Sequence, residues 1–180
     1  MEVTYKMFKA GLTCRGYQFR PGVWAEEKEA NCVQNGFHSA KNPLDCLSYY
    51  PEWDGNECWI CEIDGDIDED DRDSKVSSTR IRPIRRLGLE EFVEAAILYI
   101  AEHPKAEVSS RVHREPHTPG KERFVIVMCE EPKAMGATGD VLGLIRTDTE
   151  GEAVEAAVYI VGQHGKEPGK WYGIEDGEES

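Results

Sequence analysis

The sequence predicts an α+β protein in two lobes: strands with short helices over residues 1–88, then a small α-β-β-β-α lobe over 89–166 and an acidic tail at 167–180. Three features carry that expectation. Cys58-Trp59-Ile60-Cys61-Glu62-Ile63 is rich in β-formers and lies between the turn formers Asp54-Gly55-Asn56 and Asp64-Gly65. Leu89, Phe92, Val93, Ala96, Ile97 and Ile100 recur at helical spacing. Short apolar runs at 123–129 and 141–147 follow, each beside a glycine- or proline-rich loop.

Along the first lobe, residues 3–8 and 16–20 read as strands around Gly11 and Gly16, and Pro21-Gly22 imposes a turn. Residues 43–50 read as a helix, with Asn42 as cap, Pro43 in the first turn and Pro51 as the stop. The 57–63 strand is expected to bury Ile60 or Trp59 most deeply, with Trp59 and Cys61 on one face and Ile60 and Glu62 on the other. A solvated acidic loop should join it to an extended segment at 75–87.

In the second lobe Glu90 and Glu91 favour the start of a helix over 89–103, and Pro104 lies past its end. Ala153, Val154, Ala157, Val158 and Val161 suggest a closing helix over about 151–163. That order resembles a double-stranded-RNA-binding domain, but Glu150, Glu152 and Glu155 stand where such a module places lysines. The tail should be disordered apart from Trp171-Tyr172.

Acidic residues outnumber basic ones 35 to 21, a net charge of −14. Such a field repels nucleic acid and attracts basic partners. The first residues lack an apolar signal core and no run is long enough to span a bilayer, so the expected location is the cytoplasm of a bacterial host, away from membranes. The six cysteines lack the density of a disulfide scaffold and are expected to be reduced.

Tyr5-Lys6-Met7-Phe8 running into Lys9-Ala10-Gly11-Leu12, Phe37-His38-Ser39-Ala40 running into Leu44-Asp45-Cys46-Leu47, and Cys58 to Asp64 followed by Gly65-Asp66-Ile67-Asp68-Glu69-Asp70-Asp71 form a recognisable layout. It resembles the compact rifamycin-inactivating ADP-ribosyltransferases over about residues 5–87. The resemblance implies an ADP-ribosyltransferase-like first lobe. The family's histidine that grips the nicotinamide ribose falls at Lys6, and its Gly-Thr pair at Met7-Phe8, so no cofactor is expected to be held. The pattern also resembles a phage- and prophage-associated domain. As an enzyme the chain would have to use His38, Asp45 and Asp66, with Tyr49 and Tyr50 nearby.

Glu62 to Asp73 holds eight acids in twelve residues. Asp64, Asp66 and Asp68 imitate a calcium loop, but Glu69 stands in place of its glycine and Lys75 in place of its final glutamate, so no metal is expected. Cys58 and Cys61 fall on opposite sides of a strand, and His113 and His117 are too far along the chain to complete a zinc finger. Lys75, Arg80, Arg82, Arg85 and Arg86 are expected to pair with the acids across the strand connection.

These features support an accessory protein that binds a host protein or ribonucleoprotein with a basic surface, as an anti-CRISPR-like inhibitor of a nucleic-acid-targeting complex would. Its docking residues would be Asp64, Asp66, Asp68, Glu69, Asp70, Asp71 and Asp73. The alternatives are a diverged ADP-ribosyltransferase using a nicotinamide dinucleotide, and a structural or homodimerising domain.

Overall fold

The computed structural model describes residues 1–31, 34–69 and 73–175. It is α+β and strand-rich, and the chain divides into two compact units, Met1–Gly88 and Leu89–Ser180. No helix among the described residues is long and apolar enough to cross a membrane.

The first unit contains β1 (Glu2–Lys9), β2 (Thr13–Cys14), β3 (Tyr17–Gln18), β4 (Ala25–Glu26), β5 (Phe37–Ala40), a 3₁₀ turn at Pro43–Ser48, β6 (Asn56–Glu69) and β7 (Lys75–Leu87). β1 pairs antiparallel with β6 along its whole length, from Glu2 opposite Ile63 to Lys9 opposite Asn56, and touches β5 where Tyr5 faces Ala40. β7 pairs with β6 on one edge and with β5 and β4 on the other. The path β1-β6-β7-β5 therefore returns to β1 and closes a ring through the Tyr5–Ala40 pair.

β6 is longer than the sequence suggests, because it continues through Asp64, Ile67, Asp68 and Glu69 opposite β7. The stretch expected to be a loop is strand up to Glu69. Gly65 makes this possible at an irregularity: its φ is +80°, and a Cβ there would come within 2.1 Å of Thr79 Oγ1. A second irregularity sets Ile60 opposite Arg85 but Cys61 opposite Pro83, leaving Ile84 as an extra residue. Pro83, which has no N–H to give a ladder, sits at this bulge.

Cys61 and Ile63 are fully buried with Phe8, Phe19, Phe37, Val76 and Ile81, and Trp59 packs against the same cluster. Ile60 lies on the other face and is only half-buried, so the most buried positions of β6 are Cys58, Cys61 and Ile63 rather than Ile60 or Trp59. Polar partners close the ends of the unit. Arg82 pairs with Glu62, Arg80 with Asp64 and Glu26 at 3.1 Å, and Arg86 with Glu57 at 3.6 Å, so the basic and acidic runs meet across β6 and β7 as the sequence suggests.

The second unit contains α1 (Leu89–Glu102), β8 (Val112–His113), β9 (Phe124–Cys129), β10 (Lys133–Ala134), β11 (Val141–Thr147), β12 (Ala153–Ile160) and β13 (Tyr172–Gly173). Its main sheet runs β12-β11-β9-β8, with β9 and β11 parallel. Gly143 of β11 lies under α1, where a Cβ would meet Val93 at 2.7 Å. Tyr172 pairs opposite Ala134 and packs on the core of this unit.

The closing helix is absent and the lobe is not α-β-β-β-α, because residues 153–160 form β12, antiparallel to β11. Apolar residues at i, i+4 and i+8 also alternate locally, and Val158-Tyr159-Ile160-Val161 is β-branched and aromatic. The deciding signal is the turn before it. Asp148 Oδ1 accepts the N–H groups of Glu150 and Glu152 at 2.9 Å and Gly151 has φ +86°, which is hairpin chemistry.

Ile63→Ala should lower unfolding free energy by roughly 2–5 kcal/mol, as expected for a fully buried aliphatic side chain, and Ile60→Ala by clearly less. Urea titration of both variants checks the assignment of faces, and equal losses would contradict it.

Candidate functional site

The first unit holds a cleft of about 750 Å³ lined from β1, β2, β3, β5, the 3₁₀ turn and the start of β7. Its size falls within the ordinary range for small-ligand sites. It is basic and aromatic although the chain is acidic. Lys6, Lys9, Arg15 and Lys75 line it with His38, against Glu27 and Asp45, while Tyr17, Phe19, Phe37, Tyr49 and Tyr50 supply ring surface.

Each wall follows from local sequence. Asn42 caps the 3₁₀ turn by accepting the Leu44 N–H at 3.0 Å, and Pro43 occupies its first position, as the sequence predicts. Leu44 and Leu47 are buried, which turns Tyr49 and Tyr50 to the cleft. β2 and β3 form a hairpin in which Cys14 faces Tyr17, with Arg15 at φ +49° and Gly16 at φ +81° between them, a pair of left-handed residues suited to a two-residue turn. Gly36, at φ +84°, admits β5: a Cβ there would lie 2.4 Å from Ser77 Oγ.

Lys6 is the centre of the site. The residue is 8% exposed, its ammonium donates to the carbonyl of His38 at 2.6 Å, and it lies 5.4 Å from the centre of the Phe8 ring. One donor of three is thereby used, and among the described residues no carboxylate forms an ion pair with it. Ser39, 5% exposed, lines the same cleft and its hydroxyl has no partner among the described residues. A buried cation with spare donors beside an orphan hydroxyl favours an incoming acceptor. Lys75 is partly spent internally, since it pairs with Asp73 at 3.2 Å and lies 4.9 Å from the Tyr49 ring centre.

Burial, then the charges of Lys6, Arg15 and Lys75, hold the His38 imidazole below its ordinary value of 6.5. It is therefore neutral at pH 7. Burial and a hydrogen bond to Cys14 push the Tyr50 hydroxyl up to about 12, so it remains a donor.

The residues singled out from sequence separate here. His38, Asp45, Tyr49 and Tyr50 line the cleft. Asp45 has a structural task, because its Oδ2 accepts both the N–H and the hydroxyl of Ser74, at 3.0 and 2.6 Å. Asp66 is exposed on β6 and does not line the cleft. Of the acidic run, Asp64 pairs with Arg80, Glu69 with Lys41 at 2.6 Å and Asp73 with Lys75, while Asp66 and Asp68 are exposed. Asp70 and Asp71 lie outside the described residues. Sequence reasoning missed Lys9, Arg15, Tyr17 and Lys75 as site residues. Only Arg15 carried a signal, its place before Gly16 in a tight turn. Among the described residues no group of three or more His, Cys, Asp and Glu side chains is arranged to hold a metal ion.

Residues 2–95 match the family model described as a domain of unknown function, DUF7666. The chain belongs to this family. The DUF7666 segment contains every residue that lines the cleft. No curated protein and no solved structure matches the chain.

The lowered His38 value sets a pH dependence within the DUF7666 segment. As pH falls through 6.5, the unfolded chain takes up a proton that the folded chain refuses, so stability falls on the acid side until the folded value is passed. His38→Gln should flatten that part of the profile. Urea titrations at about pH 7.5, 6.5 and 5.5 check it, and identical profiles would assign the loss to other groups.

Proposed function

We propose that the first unit is a binding module for a small anionic ligand with a planar ring, of the nucleotide class. The observation that carries this reading is Lys6, a buried ammonium in a cleft of about 750 Å³ with one hydrogen bond to protein and no paired carboxylate. Lys9 and Arg15 add positive charge around it, and the exposed faces of Tyr17 and Tyr49 offer stacking surface. Binding rather than group transfer is favoured, because Asp45 spends an oxygen on Ser74 and Asp66 stands outside the cleft. Any resemblance to ADP-ribosyltransferases then concerns the scaffold, with Lys6 converting a cofactor grip into a phosphate contact.

Calorimetry with ADP, adenosine and pyrophosphate tests this. ADP should bind more tightly than either fragment, and Lys6→Met, which retains the apolar stem, should weaken it by roughly tenfold or more, the loss of one charge-assisted hydrogen bond. Equal binding by Lys6→Met, or no heat with ADP, would contradict the proposal.

A second reading, docking onto a basic host protein in the manner of an anti-CRISPR-like inhibitor, is favoured by one observation: Asp66 and Asp68 are exposed on β6 in a chain of net charge −14. Reversing both to lysine should leave thermal stability nearly unchanged. Recovery of a basic partner from host lysate should fall sharply, and equal recovery would remove this reading.

A further inference from the structure

The cleft also holds a thiol that the binding reading does not use. Cys14 is half-buried on β2 and lines the cleft, and the Tyr50 hydroxyl donates to its sulfur at 3.4 Å. The Lys9 ammonium lies 5.7 Å from the centre of the same Tyr50 ring, and the charge of Arg15 is felt at its hydroxyl. Cys14, Tyr50, Lys9 and Arg15 thus form one cluster at the cleft wall. The other described thiols of the first unit differ. Cys46 is buried and donates to the Tyr5 carbonyl at 3.3 Å, with burial pushing it up to about 12, and Cys58 and Cys61 are fully buried, which pushes both well above the ordinary thiol value. Cys129 lies in the second unit, and Cys32 lies outside the described residues.

A sulfur that lines a cavity, receives a hydrogen bond from a phenol and shares that cavity with Lys9 and Arg15 has what nucleophilic attack on an anionic disulfide requires: access, a donor to steady negative charge on sulfur, and attraction for the incoming molecule. We propose that Cys14 is a thiol–disulfide exchange site that admits small, acidic disulfides to the basic cleft and holds one half as a reversible mixed disulfide. The ligand class is a low-molecular-weight disulfide carrying carboxylates, of the size of a disulfide-linked pair of short acidic peptides. The proposal rests on the positive charge of the cleft and not on nucleotide recognition.

The exchange balances without an added oxidant. The Cys14 thiol loses its proton to solvent, the thiolate attacks one sulfur of the disulfide, the old S–S bond breaks as the new one forms, and the second half leaves as a thiolate that takes up a proton. Attack by a free thiol on the mixed disulfide restores Cys14. Tyr50 retains its proton throughout and serves as the donor to sulfur.

The test uses the full chain, reduced and freed of reductant, with three disulfides: oxidised glutathione and dithiobis(nitrobenzoate), which are anionic, and cystamine, which is cationic. Intact-protein mass spectrometry and peptide mapping should place the first adduct on Cys14. The anionic reagents should show at least a tenfold larger rate advantage over cystamine with the wild type than with free cysteine. That advantage should shrink at about 0.5 M salt, where screening is short-ranged, and in the Lys9→Gln, Arg15→Gln double variant. Cys14→Ser should abolish the fast phase, Cys129→Ser should leave it intact, and Tyr50→Phe should slow it. A first adduct on Cys129 or Cys32, an unchanged fast phase in Cys14→Ser, or no preference for anionic reagents would overturn the proposal. The two cleft readings fail separately: ADP binding with an inert Cys14 overturns only the exchange site, and charge-selective reaction at Cys14 without ADP binding overturns only the nucleotide reading.

Discussion

Closure of β1, β6, β7 and β5 into a ring governs the rest of the first unit. β7 is paired on both edges and β1 is held along its length by β6, so the strands cannot shift register independently. The ring commits Phe8, Phe37, Cys61, Ile63, Val76 and Ile81 to one core. It also fixes Lys6 two residues before Phe8 on the same side of β1, with an ammonium that must be satisfied where water is scarce. The His38 carbonyl supplies one partner. The remaining donors give the cleft its character.

Charge is distributed unevenly as a result. Along β6 and β7, Glu57, Glu62 and Asp64 are matched by Arg86, Arg82 and Arg80, so much of the charge there is internal to the hairpin. Partly exposed pairs of this kind contribute little to stability and instead help to fix the register of two long strands. The cleft gathers Lys6, Lys9, Arg15 and Lys75 against a background of −14, and cations concentrated in a concave surface attract anions more strongly than the same charges spread over a convex one.

Local chemistry was the legible part of the sequence. The Asn42 cap with Pro43, the Asp54-Gly55 turn that opens the 57–63 strand, the stripe of α1 and the pairing of basic with acidic runs all depend on residues close in sequence or in adjacent strands, and all appear in the structure, whereas the Asp64-Gly65 turn expected to end that strand does not, since β6 runs through it. Two features were not legible for the same reason. Residues 153–160 fit either period, and the choice was made by the Asp148–Gly151 turn and by β11, which lacks a partner on that edge without β12. The cleft is non-local. Lys6, Arg15, His38, Tyr50 and Lys75 come from five separated segments, and a single lysine or arginine in a chain with 31% charged residues carries no mark of burial. His38 and Asp45 were found because a resemblance pointed to them, yet only His38 presents a group to the cleft that is not committed to holding Ser74.

The central claim is that the positive cleft, and not the acidic hairpin, is where this protein meets its ligand. Titrating ADP into isotopically labelled protein and following backbone amide shifts tests it most directly. The account predicts saturable shifts clustered at Lys6, Lys9, Cys14, Arg15, His38, Ser39, Tyr49, Tyr50 and Lys75, with Asp66, Asp68 and the second unit unmoved. Shifts centred on Asp66 and Asp68 or on the second unit, or none at millimolar ligand, would contradict it.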